Sequence, residues 1–265
     1  GVRLRRTRRL NPPAMVKDPH PFDYQRAFSR NIGWLTPAEQ ARLRGKRVAI
    51  AGLGGVGGEH VHTLARLGVA NFHLSDFDEF DVHNLNRQAG AFMSTMGQRK
   101  LDVLARMAQD INPEVQVKAF PEGVREDNLE AFLEGVDLYI DGLDFFVLAI
   151  RQRVFAACRA KGIPAITAAP LGMGMSFLYF DPAGMSFEDY FQLEGQSEAE
   201  QYARFAVGLS PAMLNRHYLV APDAVNLAER RGPSTAMAIK LCAGFLGTAA
   251  LKLLLGRGEL PAAPY

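Results

Sequence analysis

A glycine-rich segment between an apolar run and an amphipathic stretch constrains this chain more than any other feature. The apolar run at 48–51 predicts a short buried strand, and the sequence GLGGVG follows it directly at 52–57. Residues 59–67 then show the apolar spacing of a helix. This order is typical of a nucleotide-binding βα unit, because glycine lets the backbone approach a phosphate and the helix start offers free N–H groups. The motif alone leaves open a glycine turn that serves only packing.

The rest of the chain repeats this alternation of strands and helices. Further strands are predicted at 71–75, 115–119, 136–140, 165–169 and 175–180, with helices at 97–111, 128–133 and 145–161. The pattern predicts an α/β fold, a Rossmann-like and mostly parallel sheet with helices on both faces, in which the last strand could run antiparallel. Residues 181–232 break the rhythm and predict a long crossover insertion, a lid or binding loop, before a C-terminal helix at 236–255.

Charge separates an N-terminal arm from the body of the chain. The net charge is only +2 over 265 residues, but residues 1–9 hold five arginines and no acid. We expect a flexible basic arm at 1–23 and a single domain at 24–265. The arm could be a solvated terminus, or it could contact nucleic acid or an acidic partner.

Composition excludes several classes of protein. Hydrophobic residues make up 48% and charged residues 22%, which is typical of a globular domain and not of a disordered chain or a coiled coil. Two cysteines, Cys158 and Cys242, are too few for a disulfide scaffold and favour a reducing, cytoplasmic setting. The apolar stretch at 236–255 has membrane length, but Lys240 and Lys252 interrupt it. We therefore expect a buried or subunit-interface helix and no membrane partner.

Polar side chains gather after two of the predicted strands. Asp76 ends the strand at 71–75, where an acid can hold ribose hydroxyls, and Arg87 and Lys100 follow it. Hydride transfer needs no such cations beside an adenosine pocket, whereas attack on the α-phosphate of ATP develops charge that cations stabilise. Asp144 follows the strand at 136–140 and meets the same sheet edge. It suits Mg²⁺, which takes one or two carboxylates together with phosphate oxygens.

Taken together, these motifs resemble the ThiF/HesA/MoeB family, bacterial relatives of the ubiquitin-activating enzymes. The matching segments are VAIAGLGGVGG at 48–58, ARLGVA at 65–70, DFD at 76–78, NLNRQ at 84–88, GQRK at 97–100 and DGLD at 141–144. The resemblance covers about residues 24–170. It implies ATP-dependent adenylation of a carboxylate with release of pyrophosphate. The substrate would be the C-terminus of a ubiquitin-like protein or of a ribosomal peptide.

The resemblance also implies a role for each matched residue. Arg87 and Lys100 would be catalytic and neutralise the phosphates, and Asp144 would be catalytic and hold Mg²⁺. The nucleotide would be bound by Gly52, Gly54, Gly55, Gly57, Asp76, Asp78, Asn84 and Gln88. Upstream, the segment FSRN at 28–31 resembles a family segment whose arginine enters the partner subunit's site. Arg30 would then be a fourth catalytic residue, and the protein would be a homodimer.

The chain departs from the family pattern in its use of sulfur. Residues 159–241 contain no cysteine, and the sequence has no C-x-x-C pair for zinc. We therefore expect adenylation without a self-thioester step, with both thiols buried and inert. Three alternatives stay open. They are an NAD-dependent oxidoreductase, which leaves the cations unexplained, the family's tRNA-modifying dehydratase branch, which the basic arm keeps open, and a non-enzymatic nucleotide-binding scaffold.

Overall fold

The structure, a computed structural model, describes residues 8–10, 21–225 and 232–265 of the chain. Its strands are β1 Arg8–Leu10, β2 Arg47–Ala51, β3 Asn71–Ser75, β4 Gln116–Phe120, β5 Leu138–Asp141, β6 Ala165–Leu171 and β7 Gly174–Phe180. Most of the expected flexible arm lies outside the described residues. The sequence did not predict β1, which lies within that arm and pairs antiparallel with the edge of β4.

The described strands form one sheet in the order β1-β4-β3-β2-β5-β6-β7. The five strands from β4 to β6 in this order run parallel, and β7 pairs antiparallel with β6. The predicted mostly parallel sheet is therefore confirmed. The chain leaves β2 in one direction and returns to its other side at β5, so the sheet has a switch point between β2 and β5. Open α/β sheets bind ligands beyond the carboxyl ends of the strands at such a point.

The helices lie between and after these strands. They are α1 Tyr24–Ala27, α2 Pro37–Gly45, α3 Gly55–Leu67, α4 Lys100–Ile111, α5 Leu129–Leu133, α6 Leu148–Ala160, α7 Phe187–Phe191, α8 Glu198–Leu209 and α9 Ala236–Leu255. Two predicted helices start late. The segment before α4 turns at Gly97, where φ is +73°, and residues 142–147 form a loop before α6.

Two hydrophobic cores cover the two faces of the sheet. Along β2, Val48 and Ile50 contribute to a first core with α2, α3, α4 and α9, whereas Ala49 and Ala51 contribute to a second core with α5 to α8. The alternation follows from the period of two in a strand, which sends successive side chains to opposite faces. Helices on both faces are thus confirmed.

The crossover insertion contributes to the second core. Phe187 and Phe191 of α7 and Phe205 of α8 are buried, and the rings of Phe187 and Phe191 lie 4.6 Å apart. These aromatic side chains therefore serve packing. Residues 226–231 of the insertion lie outside the described part of the chain.

Helix α9 packs against α3 and the strands β6 and β7. By length and composition it is the one helix of the described residues that could cross a membrane, and 56% of its most apolar window is buried inside the fold. Its burial agrees with the predicted core helix. Its outer face carries Met237, Leu241 and Phe245, each about half exposed.

Candidate functional site

The glycine loop (residues 52–57) packs tightly against the loop that follows β5. Gly52 has a φ of +81°, and a Cβ atom there would overlap the carbonyl of Gly142. A Cβ on Gly57 would overlap the carbonyl of Gly52, and one on Gly55 would lie 2.8 Å from Ile239 of α9. Packing therefore requires these glycines, whether or not a nucleotide binds.

Gly54 differs from the other glycines of the motif. The nearest atom to a Cβ there would be Nε2 of Gln88, at 3.7 Å. Gly54 is also the N-cap of α3 and offers no side chain to the first N–H groups of that helix. Those groups need an acceptor, and a helix N-terminus of this kind favours an anion.

Asp76 connects the end of β3 to the glycine loop. Its two carboxylate oxygens accept hydrogen bonds from the backbone N–H groups of Leu53, at 2.6 Å, and Asp78, at 2.7 Å. Burial raises the pKa of Asp76, and these two bonds oppose that effect. Each oxygen keeps a lone pair, so the carboxylate can still accept a ribose hydroxyl.

Lys100 is the first residue of α4 and places a cation beside Asp76. Its Nζ lies 3.0 Å from Oδ2 of Asp78, and its backbone N–H donates to the Asp78 carbonyl. The Lys100 side chain is 8% exposed and that of Asp78 is 52% exposed. The ammonium is thus held largely out of water, where its charge acts strongly on a bound anion.

Asn84 and Gln88 of the NLNRQ segment both have buried side-chain amides, but the two amides differ in their hydrogen bonds. Oδ1 of Asn84 accepts a hydrogen bond from the backbone of Asp81 at 2.9 Å and so serves the local turn. Gln88 is 8% exposed, and its Oε1 has no hydrogen-bond partner among the described residues. A buried acceptor without a donor is costly, so this atom fits a site that a ligand completes.

Arg87 lies close enough to Asp144 for their charges to interact, and the space between them at the carboxyl edge of the sheet is called the crevice below. The Arg87 guanidinium donates to the carbonyl of His83 at 3.0 Å and to Oδ1 of Asn86 at 2.8 Å. Burial lowers its pKa, and the negative charge of Asp144 opposes that shift. The Asp144 side chain is exposed, and its Oδ1 accepts a hydrogen bond from the backbone of Phe146 at 3.0 Å. Within the described part of the chain it makes no salt bridge.

Sequence reasoning missed two residues beneath Asp144. Arg151 of α6 and Asp141 of β5 form an ion pair with both side chains at most 3% exposed, and Nε of Arg151 lies 2.8 Å from Oδ2 of Asp141. An arginine in an amphipathic helix normally indicates a solvated position. The sequence spacing between Asp141 and Arg151 also does not indicate that the two side chains pair.

The structure does not bring Arg30 to this site. Arg30 is exposed in a short 3-10 helix, and its neighbour Asn31 donates to the carbonyl of Leu67 at the C-terminal end of α3. Helix α3 has 13 residues and starts at the glycine loop. The two ends are about 20 Å apart. Within one chain, Arg30 therefore lies at the wrong end of α3 to meet the other predicted residues.

Neither cysteine can act as a nucleophile in this fold. Cys158 and Cys242 are both fully buried. Burial raises the pKa of Cys242 to about 12 and that of Cys158 still further. Because the thiolate is the reactive form, both thiols are inert, as the sequence predicted.

The ThiF family model matches residues 28–265, nearly the whole chain. This protein belongs to the ThiF family.

Relatives of this ThiF-family chain include two kinds of curated enzyme. The tRNA threonylcarbamoyladenosine dehydratase of Bacillus subtilis is 36% identical over 141 residues, which are 53% of this chain and 55% of that protein. The molybdopterin-synthase adenylyltransferase of Escherichia coli is 33% identical over 134 residues, 51% of this chain and 53% of that protein. The chain thus aligns with about half the length of the curated relatives it matches.

A solved structure supports the same fold. The E. coli tRNA N6-threonylcarbamoyladenosine dehydratase, TcdA, in complex with ATP, superimposes with a TM-score of 0.61 at 21% identity. The match covers 88% of this chain and 95% of that one. It extends the similarity beyond the nucleotide-binding half, into the crossover and C-terminal regions.

Proposed function

We propose that this chain binds ATP at the carboxyl edge of the sheet, in the crevice beside the glycine loop and the Asp144 loop (residues 142–147), and adenylates a carboxylate. The observation that carries the proposal is the charge arrangement. Arg87 and Lys100 are both partly buried and lie at the same sheet edge as the exposed carboxylate of Asp144. Fixed cations at this edge would stabilise the charge that develops on the α-phosphate.

The residues around the crevice fit a nucleoside triphosphate. The uncapped N-terminus of α3 at Gly54 would face phosphate oxygens, and Asp76 would accept a ribose hydroxyl. The unpartnered Oε1 of Gln88 needs a donor, and the hydroxyl and amino groups of the nucleotide are donors. The carboxylate substrate would attack the α-phosphorus, and pyrophosphate would leave with the electron pair of the broken P–O bond.

Asp144 also fits a divalent cation. No group of three or more His, Cys, Asp or Glu side chains that could hold a metal occurs in the described ranges. A Mg²⁺ ion here would therefore take Asp144, phosphate oxygens and water, which is its usual set of ligands. When bound, it would neutralise negative charge on the phosphates and on the approaching carboxylate.

We propose a carboxylate carried by tRNA as the first substrate to test. Two curated relatives, at 36% and 34% identity, are tRNA threonylcarbamoyladenosine dehydratases, and these favour the dehydratase branch over the expected protein C-terminus. Dehydration at a carboxylate removes one of its oxygens. In the acyl-adenylate, a nucleophile of the same substrate would form a bond to the carboxyl carbon, and the C–O bond would break with that oxygen leaving as part of AMP. The five arginines of residues 1–9 also suit an anionic polymer.

A protein or peptide C-terminus is the second candidate. Adenylyltransferases for molybdopterin synthase and for the sulfur carrier protein ThiS, both from E. coli, are 33% and 31% identical to this chain. These relatives favour a protein as the carrier of the carboxylate. The two substrate classes need separate assays, because either carboxylate could enter the same crevice.

ATP–pyrophosphate exchange tests the proposal. The protein is incubated with labelled pyrophosphate, ATP, Mg²⁺ and one of three fractions from a cell extract: tRNA, small proteins or peptides. We expect exchange with the tRNA fraction and its loss in Asp144→Ala. The control is Asp110→Asn, which removes an exposed carboxylate near the C-terminal end of α4, at the opposite end from Lys100. This variant should retain exchange.

The outcomes separate the alternatives. Exchange that depends on the protein fraction would move the substrate to a carrier C-terminus. Binding of ATP without exchange in any fraction would favour a nucleotide-binding scaffold. Binding of NAD in place of ATP would overturn the proposal in favour of an oxidoreductase.

We further propose that two chains share each site. Arg30 is exposed and lies at the far end of α3 from its own glycine loop, so it could serve only the site of another chain. The half-exposed Met237, Leu241 and Phe245 on α9 give the molecule an apolar face that a second copy could cover.

A further inference from the structure

Arg151 lies directly beneath the Asp144 loop and binds its backbone. One terminal nitrogen of the guanidinium donates to the carbonyl oxygens of Leu143, at 2.6 Å, and Asp144, at 3.0 Å. The other lies 3.4 Å from the carbonyl oxygen of Phe145 and 3.5 Å from that of Val147. A single cation therefore binds four of the carbonyl groups of this loop, those of Leu143, Asp144, Phe145 and Val147.

Asp141 completes this arrangement from the end of β5. Its Oδ2 accepts from Nε of Arg151 at 2.8 Å, and its Oδ1 accepts from the backbone of Leu143 at 3.2 Å. Both oxygens of Asp141 are thus engaged, Oδ2 by Arg151 of α6 and Oδ1 by the loop. Of the two aspartates in the DGLD motif, Asp144 alone presents its carboxylate to solvent.

Helix α8 of the crossover insertion closes over the same loop. The Phe205 ring lies 4.8 Å from Cζ of Arg151 and 5.2 Å from the ring of Phe145. The hydroxyl of Tyr202 donates to Oε1 of Glu198 at 2.6 Å, and its oxygen lies 3.4 Å from the carbonyl oxygen of Phe146. The loop is therefore held between a buried cation on one side and the aromatic face of α8 on the other.

We propose that Arg151 and Phe205 are positioning residues for Asp144. They hold the backbone on both sides of Asp144, so that its carboxylate stays directed at the crevice opposite Arg87. The inference rests on the proposed function, in which Asp144 serves the phosphates of ATP through a divalent cation. It makes α8 of the crossover insertion part of the framework that supports the nucleotide site.

The variant Arg151→Lys tests this role while it keeps the buried charge. Lysine can pair with Asp141, but its single ammonium lacks the planar fork that reaches several carbonyls at once. We would titrate the folded protein with ATP at low and at high Mg²⁺. In the unsubstituted protein Mg²⁺ should strengthen ATP binding, and in Arg151→Lys this gain should shrink by about tenfold, as for other residues that orient a metal ligand.

A double-variant cycle distinguishes positioning from general stability. If Arg151 acts through Asp144, adding Arg151→Lys to Asp144→Ala should cause no further loss of the Mg²⁺-dependent gain. Hydrogen exchange gives a second readout that needs no nucleotide. The amides of Leu143, Phe146 and Val147 should exchange faster in Arg151→Lys, because their loop is no longer held.

Phe205→Leu provides an independent variant in case Arg151→Lys does not fold. It should also reduce the Mg²⁺-dependent gain in ATP affinity. Phe191→Leu is its matched control, because Phe191 is equally buried and stacks on Phe205 without a ring contact to the Asp144 loop. That control should lose stability but keep the Mg²⁺ dependence.

Each result has a clear meaning. An unchanged Mg²⁺ dependence in folded Arg151→Lys or Phe205→Leu would overturn the inference, as would additive losses in the double variant. If the unsubstituted protein bound no ATP, the proposed function would fall, and the role given to Arg151 with it. Normal ATP binding with unchanged loop exchange in the variants would remove the positioning role alone.

Discussion

The buried Oε1 of Gln88 is an acceptor without a donor in the described part of the chain. Gln88→Met keeps the shape of the side chain and removes that acceptor. We expect ATP affinity to fall while the free energy of unfolding of the unliganded protein rises by about 1 kcal/mol, because an unpaired buried polar group is costly. Denaturant unfolding with and without ATP measures both effects.

Gln109→Met is the matched control for this prediction. Gln109 is also buried, but its amide has hydrogen-bond partners, among them the carbonyl of Val115. The same substitution there should lower stability and leave ATP affinity unchanged. A loss of stability in Gln88→Met would show that Oε1 has a partner in solution.

Replacement of Lys100 should weaken nucleotide binding more than it lowers the free energy of unfolding. Its partner Asp78 is half exposed, so we expect Lys100→Ala to cost about 1 kcal/mol of stability or less. ATP affinity should fall at least about tenfold, because a charge-assisted contact to phosphate is worth roughly 1.5–3 kcal/mol. Calorimetric titration measures the affinity.

Lys118→Ala controls for the loss of a lysine. Lys118 of β4 pairs with Glu134 at 2.9 Å, away from the crevice. Equal losses of ATP affinity in the two variants would contradict the placement of the nucleotide beside Lys100.

Two buried histidines should make folding sensitive to acid. Burial lowers the pKa of His60 to about 3 and that of His73 to about 4. The unfolded chain binds protons below pH 6.5, whereas the native state does not until these lower values are reached. The free energy of unfolding should therefore fall as pH drops from 6.5 toward 4, by up to about 1.4 kcal/mol per pH unit for each histidine.

Replacement of His60 by leucine isolates its share of this dependence. Urea unfolding at several pH values between 4 and 7 should show a shallower loss of stability in His60→Leu. An identical slope in both proteins would mean that His60 is protonated, or exposed, in the native state.

At the scale of elements, the glycine loop combines packing and binding. Gly52→Ala would overlap the Gly142 carbonyl and place alanine at a φ of +81°. We expect it to cost at least about 2 kcal/mol of stability. Gly54→Ala should cost less and should weaken ATP binding instead, because its new methyl group would face Gln88. Thermal unfolding and ATP titration of both variants measure this difference.

Equal destabilisation by the two alanines would contradict this division of roles. A loss of ATP affinity in Gly54→Ala at normal stability would identify the surface of the loop that the nucleotide meets.

Most of the elements could be predicted because their signals are local. Apolar runs such as 48–51 end at glycine or aspartate, and amphipathic stretches such as 100–111 lie between them. Strand β1 was not predicted, because the arginines of Arg8–Leu10 give no strand pattern and the strand exists only by pairing with β4. The late start of α6 was also missed, because Arg151 of that helix binds carbonyls of the preceding loop, among them those of Leu143 and Phe145, and local sequence does not show this contact.

The candidate site was predictable in part for a similar reason. The carboxyl ends of parallel strands meet at one edge, so Asp76 and Asp144 could be placed together from their positions after strands. The ion pair of Asp141 with Arg151 depends on which face of α6 is buried and on where α8 lies. That information appears only in the packed structure.

At the scale of the whole molecule, the proposed sharing of each site between two chains predicts that two inactive variants can rescue each other. Arg30→Ala removes the arginine that would enter the partner's site, and Lys100→Ala removes a cation from the chain's own site. After the two variants are unfolded, mixed and refolded, half of the dimers should contain one chain of each variant. Each mixed dimer has two sites, and one of them is intact. About a quarter of the ATP-binding capacity should return.

Each variant alone provides the baseline for that experiment, and ATP binding avoids any need to know the acceptor. A mixture with no more binding than its two components would mean that Arg30 serves its own chain or no site. Sedimentation of the unsubstituted protein as a monomer would contradict the shared site directly.

The two sides of the crevice are supported by different hydrophobic cores, which lie on opposite faces of the sheet. The glycine loop rests against Ile239 of α9 in the first core, and the Asp144 loop rests against Phe205 of α8 in the second. Over evolution, the crossover insertion can change length or side chains without altering the surface that supports the glycine loop. Under the proposed function, the preference for a carboxylate substrate can then diverge among descendants of this chain while ATP binding at the glycine loop is kept.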